Sequence, residues 1–382
     1  MINYILSFIL SISLSIIFLR ILIKVSRKYS IYDIPVGRKN HLRPISFLGG
    51  FGIFSAFYIS YGIAFPLEVS KPFYSHTLFM VLFTFLIFGL ADDFLNFKAN
   101  KKFALQFILI GLFLYNSNDI INISQIIGLN KEYKIFNLIF SVLLMNILVN
   151  SINLIDGSDG LAASISIIIN GFLAYYFISI GDTYHSMLSC SLLGSIIGFM
   201  YFNKPPAKIF MGNGGSLFIG MILSILIFNF LNHYDNNQIF IFNQNLKIKI
   251  AFALFSIPAL DLIRVMLFRV YKRRNPFIGD SNHIHHKLKA MGYKSKYIVL
   301  FIIISQIFIF TLSFVDFYKN GFIFFINSVI LSYSMTILII SQIQDELKEE
   351  NNRSNGIKKV EKNFEKLDKM EVIEPEKIEL YN

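Results

Sequence analysis

The chain is poor in cysteine and in charge. Its 382 residues include a single cysteine, Cys190, which excludes an intramolecular disulfide and any metal site built from a cysteine cluster. Charged residues make up only 15% of the sequence and hydrophobic residues 54%, with a mean hydropathy of +0.58. No internal repeat is evident, which argues against the inverted-repeat transporters. This composition is typical of an integral membrane protein.

Long apolar runs of about 17–25 residues recur along the chain, as expected for transmembrane helices. We predict about eleven spans, near residues 3–23, 47–66, 75–91, 103–121, 135–151, 161–180, 186–202, 216–231, 248–270, 297–315 and 321–341. The first run has no small-residue cleavage site after it, so we expect a retained helix rather than a signal peptide. The predicted fold is an all-α polytopic membrane protein, with a transmembrane domain over residues 1–341 and a charged, mobile tail over residues 342–382.

The net charge of +11 is distributed unevenly over the predicted loops. The loops after the first, third, fifth, seventh and ninth spans carry far more lysine and arginine than the loops between them. The positive-inside rule therefore predicts that these loops and the C-terminal tail are cytoplasmic, with the N-terminus outside and the protein in the inner (plasma) membrane. Basic residues that flank spans suit anionic lipids and anionic substrates, so we expect no nucleic-acid partner.

A polar cluster between two apolar runs contains Asn150, Asn153, Asp156 and Asp159, with glycine directly after each aspartate. Charged side chains at bilayer depth are costly and usually mark a functional site. Asparagine and aspartate offer the oxygen atoms that Mg²⁺ and sugar or base hydroxyls bind. The alternative is a turn in which these residues act as turn formers and helix caps.

Two further acidic or glycine-rich segments lie in the predicted cytoplasmic loops. Asp92 and Asp93 follow a span directly, and adjacent carboxylates suit a general base or a divalent metal, with a helix cap as the alternative. The segment 203–216 contains Asn213 among glycines, and Ser216 is a candidate N-cap for the next span.

Basic residues and histidines complete the same predicted face. The segment 38–52 combines Arg38, Asn40 and His41 with a glycine-rich helix start, which suits a phosphate cradle or, alternatively, lipid anchoring and helix packing. His283-Ile-His285-His286 lacks the cysteine or glutamate partners of a closed zinc site, so we interpret the histidines as donors to phosphate oxygens.

These motifs resemble, in order, those of the polyprenyl-phosphate N-acetylhexosamine-1-phosphate transferases, the superfamily that contains WecA and MraY. The similarity covers about residues 30–300. Asp92-Asp93 looks like the family's Asp-Asp loop, and Asn150-x-x-Asn153-x-x-Asp156-Gly-x-Asp159-Gly resembles its Asn/Asp loop. Phe210-Met-Gly-Asn213-x-Gly-Ser216 is similar to its phosphate-and-metal loop, and His283-x-His285-His286 looks like the histidine motif of the WecA branch.

The resemblance implies a reaction in which polyprenyl phosphate attacks the sugar-linked phosphorus of a UDP-N-acetylhexosamine and UMP leaves. It implies Mg²⁺, with Mn²⁺ as an alternative, and a cell-envelope glycan as the destination; a homodimer is compatible with it. By the same resemblance the catalytic residues are Asp92, Asp93 and Asp156, and the metal positions are Asn153 and Asn213. The implied substrate-binding residues are Arg38, Asn40, His41, Asn150, Asp159, Phe210, His283, His285 and His286.

One position departs from the family pattern, because the family usually has aspartate where this chain has Asn213. Asparagine still offers a carbonyl oxygen but removes one negative charge from the metal site. A catalytically weakened family member is therefore one alternative. Two others stay open independently of this position: a phospho-MurNAc-pentapeptide-type transferase and a membrane transporter. The transporter reading requires polar residues deep in spans; Asp261 and Arg264 are the best candidates, and their spacing favours a structural ion pair.

Overall fold

A computed structural model describes residues 1–32, 44–65, 72–117, 119–126, 133–233, 243–276, 283–314 and residue 329. These residues form α-helices, and their only β-pairing is an isolated parallel bridge between Ser46 and Ile209. The helices are α1 (Ile2–Tyr29), α2 (Gly49–Ala64), α3 (Pro72–Leu95), α4 (Ala99–Ser117), α5 (Ile123–Ile126), α6 (Lys134–Ile155), α7 (Leu161–Ser179), α8 (Thr183–Asn203), α9 (Gly212–Asn232), α10 (Gln244–Tyr271), α11 (Ile284–Ala290) and α12 (Ser295–Leu312).

Every predicted span up to 297–315 coincides with one of these helices. Eight of the described helices are long and apolar enough to cross a membrane, and α2 is a shorter apolar helix. The predicted all-α polytopic fold is therefore confirmed. The last predicted span, 321–341, lies outside the described residues except for Val329, and so does the predicted tail, 342–382.

Helix α9 lies at the centre of the bundle, where it packs against α2, α3, α6, α7 and α10. Two glycines bring neighbouring helices close to it. A Cβ at Gly89 of α3 would lie 2.4 Å from the Asn213 carbonyl oxygen, and a Cβ at Gly220 of α9 would lie 2.8 Å from the Val149 carbonyl oxygen of α6. Small residues at such crossings let helix backbones approach within the membrane. The close approach brings the C-terminal ends of α3 and α6 to the start of α9.

A proline in α10 is accommodated by a side chain from α12. Pro258 has no N–H to donate to the Leu254 carbonyl oxygen one turn earlier. Gln306 of α12 is fully buried, and its Nε2 donates to the carbonyl oxygens of Leu254 at 3.1 Å and Ala253 at 2.6 Å. The glutamine therefore satisfies the carbonyl that the proline leaves open and joins α12 to α10.

The predicted polar motifs within the described residues meet at one end of the bundle. We call this region the polar end: the last turns of α3 and α6, residues 156–160, residues 204–211, the first two turns of α9, and α11. Hydrogen bonds between residues far apart in the chain hold the polar end together.

Candidate active site

Asp92 joins α3 to the start of α4. Helix α3 continues to Leu95, so the Asp pair occupies its last turn rather than the loop that follows. The Asp92 carboxylate is buried and accepts hydrogen bonds from Lys102 Nζ at 2.8 Å and from the Phe97 N–H at 3.0 Å. These partners satisfy the carboxylate inside the protein, which is why the helix does not have to end before it. The basic charge of Lys102 was predictable, but its pairing with Asp92 was not.

Asp93 caps the N-terminus of α9. Its Oδ1 accepts from the Asn213 N–H at 3.1 Å, and its Oδ2 accepts from the Gly214 N–H at 3.4 Å. A carboxylate at this position satisfies otherwise unpaired amides and interacts favourably with the helix dipole. The prediction that Ser216 is the N-cap is wrong, because α9 begins at Gly212 and the Ser216 hydroxyl donates back to the Gly212 carbonyl oxygen at 3.0 Å.

Asn153 and Asn213, the two predicted metal positions, are in direct contact. Helix α6 continues to Ile155, so Asn153 lies on its last turn and not in a loop. Its Nδ2 donates to Asn213 Oδ1 at 2.8 Å and to Ser216 Oγ at 2.7 Å. With the Asp93 cap, these bonds join α3, α6 and α9 at one point. The predicted spans and their basic loops placed both residues on one face, and the structure brings them into direct contact.

Asn150 lies apart from this contact, inside the bundle between α4 and α6. It is buried, and its Nδ2 donates to Gln106 Oε1 and to the Asn146 carbonyl oxygen, both at 2.9 Å. The predicted substrate-binding side chain is thus turned toward α4. Sequence analysis missed Gln106, and the available signal was a polar residue within a predicted span, one turn after Lys102.

Asp156 and Asp159 follow α6 directly. None of the described residues donates a hydrogen bond to the Asp156 carboxylate, whereas Asp159 Oδ2 accepts from the Ala207 N–H at 3.1 Å. Burial raises the pKa of Asp156 well above its ordinary value, and the neighbouring Asp93 and Asp159 carboxylates raise it further. Asp93 and Asp159 therefore lie near enough to Asp156 for their charges to act on it.

The segment before α9 is held against this region by Asn203. Its Oδ1 accepts from the Gly160 N–H and its Nδ2 donates to the Ile209 carbonyl oxygen, both at 2.9 Å. Phe210, the predicted base-stacking residue, is half-buried, and its N–H donates to the Ser46 carbonyl oxygen at 2.7 Å. The predicted phosphate-cradle residues lie outside the described residues: Arg38, Asn40 and His41.

The histidine motif forms the start of the short helix α11. His285 is buried, and a Cβ added at Gly157 would lie 2.3 Å from its Nε2. Neither of its ring nitrogens has a hydrogen-bond partner among the described residues. Burial, together with the neighbouring His286 and His283, lowers the pKa of His285 to about 3, so the ring is neutral at physiological pH. Because His285 lies against Gly157, the histidine motif packs directly on the Asp156–Asp159 segment.

Asp261 of α10 holds this histidine helix in place. Its Oδ1 lies 2.8 Å from Arg264 Nη2, so the ion pair expected from the sequence is confirmed. Its Oδ2 lies 2.9 Å from His283 Nδ1, and both oxygens accept from the Ile284 N–H at 3.3 Å. Sequence analysis missed this second role, because nothing in the local pattern connects residues 261 and 283.

The oxygen atoms of this region suit a metal that is shared with a substrate. No three His, Cys, Asp or Glu side chains of the described residues converge to hold a metal ion by themselves. Asn153 and Asn213 do supply amide oxygens, and a cation would offset the repulsion that raises the Asp156 pKa. Mg²⁺ is usually bound by one or two protein groups together with substrate phosphates and water. The residues therefore fit Mg²⁺ bound jointly with a phosphate group.

Comparison with known proteins gives consistent matches. Residues 75–230, from α3 through α9, match glycosyl transferase family 4. A probable undecaprenyl-phosphate N-acetylglucosaminyl 1-phosphate transferase of Bacillus subtilis is 28% identical over 337 residues, 87% of this chain and 86% of the relative. A phospho-N-acetylmuramoyl-pentapeptide-transferase of Buchnera aphidicola is 31% identical over 346 residues, 80% of this chain and 96% of the relative. A decaprenyl-phosphate N-acetylglucosaminephosphotransferase of Mycobacterium leprae is 30% identical over 168 residues, 41% of this chain and 42% of the relative.

The chain therefore belongs to glycosyl transferase family 4, among the polyprenyl-phosphate sugar-1-phosphate transferases. It is an enzyme, a glycosyl-1-phosphate transferase embedded in a membrane, and the transporter alternative is not supported.

Proposed function

We propose that the protein transfers N-acetylhexosamine-1-phosphate from a UDP-sugar to polyprenyl phosphate and releases UMP. The observation that carries the proposal is the convergence of the acidic motifs at the polar end. Asp93 contacts the start of α9, Asn153 contacts Asn213, and Gly157 packs on His285. Phosphoryl transfer depends mainly on positioning and on charge stabilisation, and such a cluster offers both.

In this reaction an oxygen of the lipid phosphate attacks the sugar-linked phosphorus, and the bond from that phosphorus to the UMP oxygen breaks. The nucleophile is already ionised at neutral pH, so no side chain has to supply a strong base. Asp93 orients the first turn of α9 through the hydrogen bonds that its carboxylate accepts from two backbone amides. We assign Asp92 to holding Lys102 at the same end, and Asp156 to the metal ion that the reacting phosphates would share.

We propose Mg²⁺ as the cofactor, held by the amide oxygens of Asn153 and Asn213 and the carboxylate of Asp156. When bound, the ion would neutralise charge that builds up on the pyrophosphate. Asp159 and Phe210 are proposed to bind the uridine, and the histidines of α11 the phosphates or the sugar. Asn150 is proposed to act from within the bundle, by fixing the last turns of α6.

One finding supports a second candidate for the sugar-nucleotide substrate. The relatives that match most of their own length include a phospho-N-acetylmuramoyl-pentapeptide-transferase, so the larger donor is a second candidate. The histidine motif resembles the N-acetylhexosamine branch, and we place that donor first. We further propose that the polar end faces the cytoplasm of a cell with a plasma membrane rich in anionic lipid, and that the product initiates a cell-envelope glycan.

The test is UMP release by the purified protein in detergent with undecaprenyl phosphate and Mg²⁺. UDP-GlcNAc, UDP-GalNAc and UDP-MurNAc-pentapeptide are compared as donors at matched concentrations. We expect an N-acetylhexosamine donor to give the highest kcat/KM, and Asp93→Asn to lose turnover while staying monodisperse. Preference for UDP-MurNAc-pentapeptide would replace the first candidate by the second, and wild-type-like turnover by Asp93→Asn would remove the Asp pair from the proposed machinery.

A further inference from the structure

A buried carboxylate outside the recognised motifs contacts the histidine helix. Asp261 lies on α10, is 1% exposed, and is separated by 22 residues from His283, whose Nδ1 lies 2.9 Å from its Oδ2. An ionised carboxylate only accepts hydrogen bonds, so the His283 Nδ1 must carry the proton in this contact. In the neutral ring, Nε2 is then left as a bare acceptor.

The same carboxylate sets where the histidine helix begins. It accepts the N–H of Ile284, the first residue of α11, while Arg264 Nη2 donates to its Oδ1. Asp261 therefore receives donors from a ring, a backbone amide and a guanidinium, which leaves its orientation little freedom. The residue after Ile284, His285, packs on Gly157 beside Asp156.

The ring nitrogen of His283 that does not contact Asp261 is Nε2, and it is the unprotonated one. His283 Nε2 is buried and has no hydrogen-bond partner among the described residues, and the same holds for both ring nitrogens of His285. The two rings stack with centroids 5.9 Å apart and planes 9° from parallel. Buried polar atoms without partners are uncommon, and of these two rings His285 packs on Gly157, next to Asp156 of the proposed reaction centre.

We propose that Asp261 is a positioning residue: it fixes the His283 tautomer and the start of α11, so that the unprotonated Nε2 of His283 accepts a hydrogen bond from a hydroxyl or amide N–H of the UDP-sugar rather than donating one to its phosphates. The inference rests on the proposed function for its ligand, whereas the tautomer itself does not depend on it. Asp261 acts through His283 and does not touch the substrate. Partners that orient a functional histidine in this way commonly change activity by about 10–100-fold when they are removed.

The pair Asp182 and His185, at the start of α8, is a matched control for the pair Asp261 and His283. Asp182 caps that helix by accepting the His185 N–H at 3.1 Å, and its Oδ2 lies 2.7 Å from His185 Nδ1. It therefore makes the same pair of contacts as Asp261, a ring nitrogen and a helix-start amide. The opposite end of α8, at Asn203, is the one that reaches the polar end. A purely structural role would make Asp182→Asn and Asp261→Asn behave alike.

The kinetic test combines Asp261→Asn, His283→Ala and the double variant, with Asp182→Asn as the control. Each protein is purified in detergent, its unfolding midpoint is measured, and UMP release is followed over a range of UDP-GlcNAc. We expect Asp261→Asn to raise the KM for UDP-GlcNAc about tenfold or more in the wild-type background. In the His283→Ala background the same substitution should change KM by less than about twofold, because the residue it acts through is gone. Asp182→Asn should leave KM unchanged. An equal rise in both backgrounds, no rise at all, or the same rise in the control would overturn the proposal.

A second measurement needs neither activity nor an Asp261 variant. Nitrogen-15 spectra of wild-type protein labelled at histidine report which ring nitrogen is protonated, and His283→Gln identifies the signal. We expect the neutral His283 ring to carry its proton on Nδ1, and a neutral ring protonated on Nε2 would overturn the proposal. A wild-type protein that shows the expected tautomer but releases no UMP would refute the proposed function separately.

Discussion

Replacing Asn213 with aspartate tests the charge of the proposed metal position. In the structure the Asn213 side-chain oxygen accepts from Asn153 Nδ2 at 2.8 Å, and an aspartate oxygen can accept the same bond. The backbone N–H of residue 213 already lies 3.1 Å from Asp93 Oδ1. The substitution therefore keeps the shape of the site and adds a negative charge beside existing carboxylates.

The size of the effect follows from those charges. Two unit charges about 6 Å apart interact by roughly 3 kcal/mol at an effective dielectric constant of about 20, and attraction to a divalent cation is correspondingly larger. Part of this is lost to solvent screening at a partly exposed site. A net gain of about 1.4 kcal/mol in cation binding corresponds to a tenfold lower midpoint. We therefore expect Asn213→Asp to lower the Mg²⁺ concentration for half-maximal activity about tenfold.

The assay is a Mg²⁺ titration of both proteins at saturating donor, with the unfolding midpoint measured in parallel. Without Mg²⁺ the variant should unfold at lower temperature than wild type, because its extra carboxylate is repelled, and Mg²⁺ should reverse the order. Asn213→Ser, which is uncharged, controls for changes in shape. Superimposable titrations for wild type and Asn213→Asp would show that residue 213 does not bind the metal.

Three other perturbations give distinct outcomes. Gly157→Ala should reduce kcat/KM at least about tenfold, because its Cβ would lie 2.3 Å from His285 Nε2, whereas Gly171→Ala, with open space around it, should not. Gln306→Leu should lower the unfolding free energy, measured by denaturant titration, by about 1–3 kcal/mol, because it leaves a buried carbonyl unpaired. Activity per folded molecule should stay unchanged. The raised pKa of Asp156 means that the folded state retains a proton that the unfolded chain has lost. In EDTA, the unfolding midpoint of the wild-type protein should therefore fall as pH rises from the ordinary pKa of aspartate through the raised pKa of Asp156. The unfolding midpoint of Asp156→Asn should depend less on pH over the same range.

The helices and the shared face of the motifs were predictable because both follow from local pattern. Apolar runs specify spans, and alternating basic loops specify which loops share a side. Once α3, α6 and α9 are fixed, the acidic motifs have to gather at one end. The approach of Asn153 to Asn213, residues 60 positions apart, then depends on helix packing that the sequence does not display.

The hydrogen-bond partners of individual site residues were not predictable, because they too depend on helix packing. Asn150 and Asn153 lie within one turn of α6, yet Asn150 contacts Gln106 of α4 and Asn153 contacts Asn213 of α9. Helix α6 packs against both α4 and α9, and this packing decides which partner each asparagine meets. The helix cap expected at Ser216 is instead provided by Asp93, from a helix that lies far earlier in the chain. Contacts of this kind are set by tertiary structure, which overrides local capping preference.

The central claim is tested most directly by following the phosphorus atom of the donor. UDP-GlcNAc labelled with ³²P at the sugar-linked phosphorus is incubated with undecaprenyl phosphate, Mg²⁺ and the purified protein, and lipid and water-soluble products are separated by extraction into butanol. We predict that the label enters the lipid fraction in equal amount to the unlabelled UMP released, and that neither product forms without the lipid phosphate. Label that stays in water-soluble UDP or phosphate while sugar enters the lipid would contradict the account.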